Sequence, residues 1–158
     1  MNELSINRKN ALAVYRGADS KGKELLERLF GAETFSSKVT DRVNTLEDAY
    51  EETGRPQCPE FDNVPEDWRE YFKSLHDALV VTEALNEDWE ADYNNGGQQK
   101  HYPYFHLSSS SGFAFDNAGC EYSYPHAGSA ARLCLKSEEL AKHMGEEFIK
   151  VYERIITK

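Results

Sequence analysis

Residue patterning predicts an α+β protein: a helical N-terminal half, then a small antiparallel β-sheet packed against a long C-terminal helix. Three observations carry this. Apolar residues recur at helical spacing through residues 20–30 and 66–86. The segments KHYPYFHL (100–107) and GFAFDN (112–117) flank a run of four serines, the pattern of a hairpin. Beyond Ser137, residues Leu140, Met144, Phe148, Val151, Tyr152 and Ile155 make one apolar stripe, which must pack on something.

A first helix is expected over 7–16, around Ala11, Leu12, Val14 and Tyr15. A second opens at Asp19 or Ser20, whose side chains can accept the free N–H groups of a first helical turn, and stops at Gly31. A third begins at Thr45, pairs it with Asp48 in a capping box, and ends at Gly54. Residues 54–65 hold three of the five prolines and read as loop, because proline gives no N–H to a ladder. Glu66–Asn86 is the longest helix of the front half, with Trp68, Phe72, Leu75, Leu79 and Thr82 along its expected apolar face and Tyr71, Ala78 and Leu85 beside them. Pro103 places the first strand at an edge or bulge. CEYSY (120–124) and AARLCLK (130–136) complete the expected sheet. Ser137 then caps the last helix, with Glu138 and Glu139 at the positive end of its dipole.

Residues 1–158 are read as a single chain with a subdivision: a helical segment 1–53, a proline-rich loop 54–64, and an α+β lobe 65–158. Segment 1–53 alone is short of core, so its helices should dock on the rest or form a loosely attached arm.

Composition excludes several classes. Hydrophobic residues make up 39% of the chain, enough to fill a core and argue against wholesale disorder. No uninterrupted apolar run reaches membrane-spanning length, and the first residues lack a secretory core, so a cytoplasmic protein without a membrane partner is expected. Cys58, Cys120 and Cys134 form no close pair, which fits a reducing compartment. His101, His106, Cys120 and His126 fall in one stretch without a metal-ligand spacing, so no metal and no cofactor are expected. No phosphate-cradling glycine motif occurs.

Charge is distributed unevenly. The chain carries 28 acidic and 18 basic side chains, a net charge of −10. Residues 41–92 contain 16 of those acids and only four bases, a net −12, so the remainder is +2. Nucleic acid is therefore disfavoured as a partner, since phosphate neutralisation needs an excess of Lys and Arg. A field of one sign steers oppositely charged partners.

The order ALAVYRGADSKGKELLERLFG, VTDRVNTLEDAYEETG, ALNEDWEADYNN, KHYPYF, GFAF and SAARLCLKSEELAKHMGEEFIKVYE resembles a family of uncharacterised proteins common in gut Bacteroidetes, their prophages and their phages. The resemblance covers most of the chain, and LNEDWEADYNN and RLCLKSEELAKHMGEEF carry it most specifically. The family pattern has tryptophan where Tyr93 stands and phenylalanine where Leu135 stands, both apolar exchanges of large side chains. The resemblance implies a small phage-linked protein, cytoplasmic or virion-associated. It transfers no activity, cofactor or catalytic residue.

The expected function is a non-enzymatic interaction module for a protein partner, in its sharpest form an acidic DNA mimic or host-factor modulator. The candidate binding patch is Trp89, Tyr93, Tyr102, Tyr104 and Phe105, because strand alternation sends only half of an aromatic cluster inward. One alternative is an enzyme of unrecognised type near His101, His106 and Arg132, which supply imidazoles and an anion-binding cation. A second is single-stranded nucleic-acid binding by the aromatic C-terminal lobe, with Lys100, Arg132 and Lys136 as its cations. No catalytic residue is assigned, because the serine run 108–111 looks like a loop and no motif strains one of its serines into a nucleophile.

Overall fold

The computed structural model describes residues 8–36, 38–108, 112–121 and 131–157. Helices α1 (Arg8–Gly17), α2 (Ser20–Phe30), α3 (Val39–Arg42), α4 (Leu46–Thr53) and α5 (Glu66–Asn86) precede strands β1 (Lys100–Ser108) and β2 (Gly112–Glu121). Helices α6 (Glu138–Glu147) and α7 (Ile149–Ile156) come last, giving the α+β order expected.

The caps form as their residue types require. Asp19 accepts from the Gly22 N–H at 2.9 Å. Thr45 and Asp48 form a reciprocal capping box, and Gly54 closes α4 in the left-handed region at φ 67°. Ser137 accepts from Leu140 to open α6. The expected long C-terminal helix is interrupted at Phe148, whose side chain turns into the core between α6 and α7. Its stripe stays intact across the break: Leu140, Met144, Val151 and Tyr152 are buried with Phe148.

One core runs through the described residues. Val39, Val43, Ala49 and Tyr50 from the front meet Val81 and Leu85 of α5 and Met144 and Phe148 of the C-terminal helices. Helix α2 contributes no buried residue, and Leu25 and Leu29 are 58% and 64% exposed.

Helix α5 buries part of the expected face, Ala78, Thr82 and Leu85 with Leu75 packed beside them, but the face is rotated. Its buried side is Ser74, Asp77, Ala78, Val81, Thr82 and Leu85, whereas Trp68 is 55% exposed and Leu79 37%. The reason is the neighbours. Small and polar side chains let α4, α6 and α7 approach closely, and Ser74 and Asp77 sit inside, where an apolar count never looks for them.

β1 and β2 pair antiparallel, with Phe105 opposite Phe115 and Tyr104 opposite Asn117. Asp116 is thus an extra residue in β2, a bulge that shifts the alternation by one. Phe113, Phe115 and Ala118 consequently share the face that Phe105 presents to the helices. Phe105 stacks on Phe113 at 4.9 Å and meets Tyr152 at 4.8 Å.

The expected last strand over AARLCLK is a correction. Ala131–Leu133 is a 3-10 turn, and among the segment's described residues only Leu135 pairs with β1, exchanging both backbone hydrogen bonds with His101 at 2.9 and 3.0 Å. Two causes are visible. The next β1 residue facing the same edge is Pro103, which has no N–H to donate. On the other side, Asn86 takes the neighbouring backbone groups: its Nδ2 donates to the Cys134 carbonyl at 2.8 Å and its Oδ1 accepts from the Lys136 N–H at 3.0 Å. From the expected segment CEYSY, Cys120 and Glu121 end β2, and residues 122–124 lie outside the described residues, as do Ser109–Ser111.

Substitutions at three places test this packing. Leu85→Ala, at a fully buried position, should cost ~2–5 kcal/mol by urea unfolding, while Leu25→Glu with Leu29→Glu should change it by under ~1 kcal/mol. Gly145 lies mid-helix, and a Cβ there would stand 2.2 Å from the Phe115 ring. Gly145→Ala should therefore destabilise by ~1–3 kcal/mol, although helix propensity alone predicts a gain of ~1 kcal/mol.

Candidate functional site

The C-terminal end of α5 is tied down by charge. Arg42 at the end of α3 is buried, at 5% exposure. Its guanidinium donates to Glu52 of α4 at 2.9 Å, to Glu87 at 3.1 Å and to the Ser36 carbonyl at 2.7 Å. Glu87 also accepts from Lys136 at 2.8 Å. Glu87 has φ 55° and ψ −117°, a conformation costly for a residue with a Cβ. It is held there by two cations at once.

That strained turn redirects the chain along an open groove of about 890 Å³. One wall is acidic, built from Glu83 near the end of α5 and from Glu87, Asp88 and Glu90 just beyond it. Trp89 and Tyr93 supply the aromatic surface, and His76, Arg132 and Cys134 also line the groove. Arg55 is in the groove but is engaged by Glu83 at 2.9 Å.

The five predicted patch residues do not form one surface. Trp89 and Tyr93, both half-buried, line the groove together. Tyr93 bonds Cys134 Sγ at 3.5 Å, and its ring lies 5.1 Å from the Lys100 ammonium. Burial and hydrogen bonds to Cys134 and Tyr102 push the Tyr93 phenol above its ordinary value. Tyr102 therefore joins the groove wall indirectly. Tyr104 is exposed on the outer sheet face, where its ring covers Gly119 closely enough that a Cβ there would stand 2.2 Å from it. Phe105 is turned inward by strand alternation and belongs to the core side.

Nor are the three alternative residues gathered. His101 is 8% exposed and, among the described residues, its Nδ1 has no hydrogen-bond partner. His106 is exposed on the opposite face of β1, and Arg132 borders the groove. The cations weighed for nucleic acid are also dispersed. Lys100 is fully buried, donating to the Gln98 carbonyl at 3.0 Å, and Lys136 is paired with Glu87. His126 lies outside the described residues.

A polar cluster adjoins the groove on α5, sharing His76 with its lining. The buried Tyr50 hydroxyl donates to Asp77 Oδ1 at 2.8 Å and lies 2.9 Å from His76 Nδ1. Burial first, then Asp77, raises the Tyr50 phenol strongly. Cys58, from the proline loop, packs its sulfur within 3.8 Å of the Lys73 carbonyl, and burial first, then Asp77, raises its thiol. Patterning alone makes His76 an ordinary helix residue and gives Cys58 no role. Their separation matches no ligand motif, and only folding of the loop onto α5 joins them.

No family model, curated protein or solved structure matches this chain.

Glu87 gives the site a pH signature. Burial pushes its carboxyl up, but hydrogen bonds from Lys136 and Arg42 outweigh this and hold it below the ordinary 4.5. Its stabilising contribution is complete above that value and fades as the pH falls through the lower folded one. Thermal unfolding of Glu87→Gln should thus lie below wild type near neutrality, with the gap closing as the pH falls below that ordinary value.

Proposed function

We propose that this chain is a non-enzymatic interaction protein that binds a basic segment of a partner protein in the groove beside α5. The observation that carries this reading is the meeting of Trp89 and Tyr93 with the exposed Asp88 and Glu90 in one groove, beside Glu83 and Glu87, which Arg55, Arg42 and Lys136 already pair. Aromatic side chains in a concave site supply anchoring area, and an acidic rim speeds encounter with a cationic partner. Residues 41–92, with their net −12, extend the same sign of charge well beyond the groove.

The resemblance to phage-linked proteins of gut Bacteroidetes narrows the class of partner. A host nucleic-acid-binding protein presents the required basic surface, and the acidic third of this chain stands in for the phosphate backbone. The chain then acts in the host cytoplasm by occupying that surface. Among the described residues no helix is long and apolar enough to cross a membrane.

The test is competition. The immobilised chain should retain basic DNA-binding proteins from host lysate, and excess duplex DNA should displace them. Asp88→Lys with Glu90→Lys should reduce retention at least about tenfold, because two attractive contacts become repulsive. Trp89→Ala should reduce it through lost anchoring, by ~1–2 kcal/mol. Retention that ignores both the DNA and these substitutions would refute the reading.

A further inference from the structure

We propose that Cys58, His76 and Asp77 form a binding site for a zinc-class divalent cation, with a sulfur, a ring nitrogen and a carboxylate oxygen as its protein ligands. This does not rest on the basic-partner reading, although His76 also lines that groove. Each of the three offers one ligand atom, and these atoms lie within 4.8 Å of one another. Around a tetrahedral ion with bonds of ~2.0–2.3 Å, ligand atoms stand ~3.5 Å apart. The three side chains therefore need to close by only about 1 Å, a movement available to Cys58 on its loop.

The burial of Asp77 is the second argument. Its side chain is 8% exposed, yet among the described residues the one basic group paired with it is the His76 ring, 4.0 Å away and charged only if protonated. Its hydrogen bond at 2.8 Å comes from the neutral Tyr50 hydroxyl. A buried carboxylate with so little compensation favours a cation beside it. Glu60 and Glu70 add to the negative field that Asp77 exerts on Cys58, against Lys73 alone.

The donor set decides the class of ion. Thiolate with imidazole selects zinc-class ions, whereas calcium and magnesium take oxygen ligands. Three protein ligands leave one position for water, and His76 borders the groove from which water can enter. The thiol, raised by burial, holds its proton without metal. On binding, the S–H bond breaks, the metal–sulfur bond forms, and the proton leaves to water. Tyr50 is then an outer-shell donor that orients Asp77. The ion would join the proline loop to α5, with α4 held through Tyr50.

Cobalt(II) and zinc titrations of the full chain test this. Cobalt should give one equivalent of a sulfur-to-metal charge-transfer absorption, zinc should abolish it, and zinc should raise Tm. The band should vanish in Cys58→Ser and persist in Cys120→Ser, whose cysteine is exposed on β2. Tyr50→Phe should keep the band but weaken cobalt binding by ~10–100-fold. Circular dichroism should show that Cys58→Ser is folded. Absence of the band in the wild-type chain at excess cobalt overturns the proposal, as does a band that survives in folded Cys58→Ser.

Discussion

The buried guanidinium of Arg42 organises the middle of this molecule. It reaches Glu52 on α4 and Glu87 just beyond α5, and does so shielded from water, since almost none of it is exposed. Glu87 in turn holds Lys136, one residue before the cap of α6. Removing one partner of such a buried set leaves an uncompensated charge, which is far costlier than losing a surface pair. The chain reversal after α5, and hence the groove, depends on that set staying whole. The positive φ of Glu87 persists because its surroundings over-determine it.

What the sequence made legible was mostly local. Asp19, Thr45 and Ser137 cap helices because a short oxygen-bearing side chain satisfies a free N–H wherever the chain starts to coil. The final stripe was readable because large aliphatics repeat at helical spacing. The alternation of KHYPYFHL correctly signalled a strand, and with it the inward turn of one aromatic residue in two. Where side chains reach across the fold, patterning failed. Asn86 replaces a strand partner for residues 134 and 136, and no periodicity encodes a side chain doing backbone work. Helix α3 is a single turn, too short to carry a period.

The candidate sites divide along the same line. Charge could be located from composition alone, so the acidic half of the groove was visible in residues 41–92. Its aromatic half was only partly so, because Phe105 and Tyr104 look like Trp89 and Tyr93 until strand parity is known. The Tyr50–Cys58–His76–Asp77 cluster was invisible: its members come from a helix, a proline loop and a second helix, and His76 and Asp77 are neighbours in sequence that meet Tyr50 only through packing. Buried polar residues on α5 were the missing signal, and an apolar-face rule treats them as solvent-facing.

Pro103 carries a consequence beyond the sheet it trims. A two-stranded ribbon offers open backbone along its flanks, and such flanks recruit strands from other molecules. On the β1 flank, His101 is already occupied by Leu135, and the following outward position offers no amide hydrogen. A second chain arriving there finds one site taken and the next mute. On this flank Pro103 therefore weakens pairing with a further strand of this chain and with one from a neighbouring molecule alike.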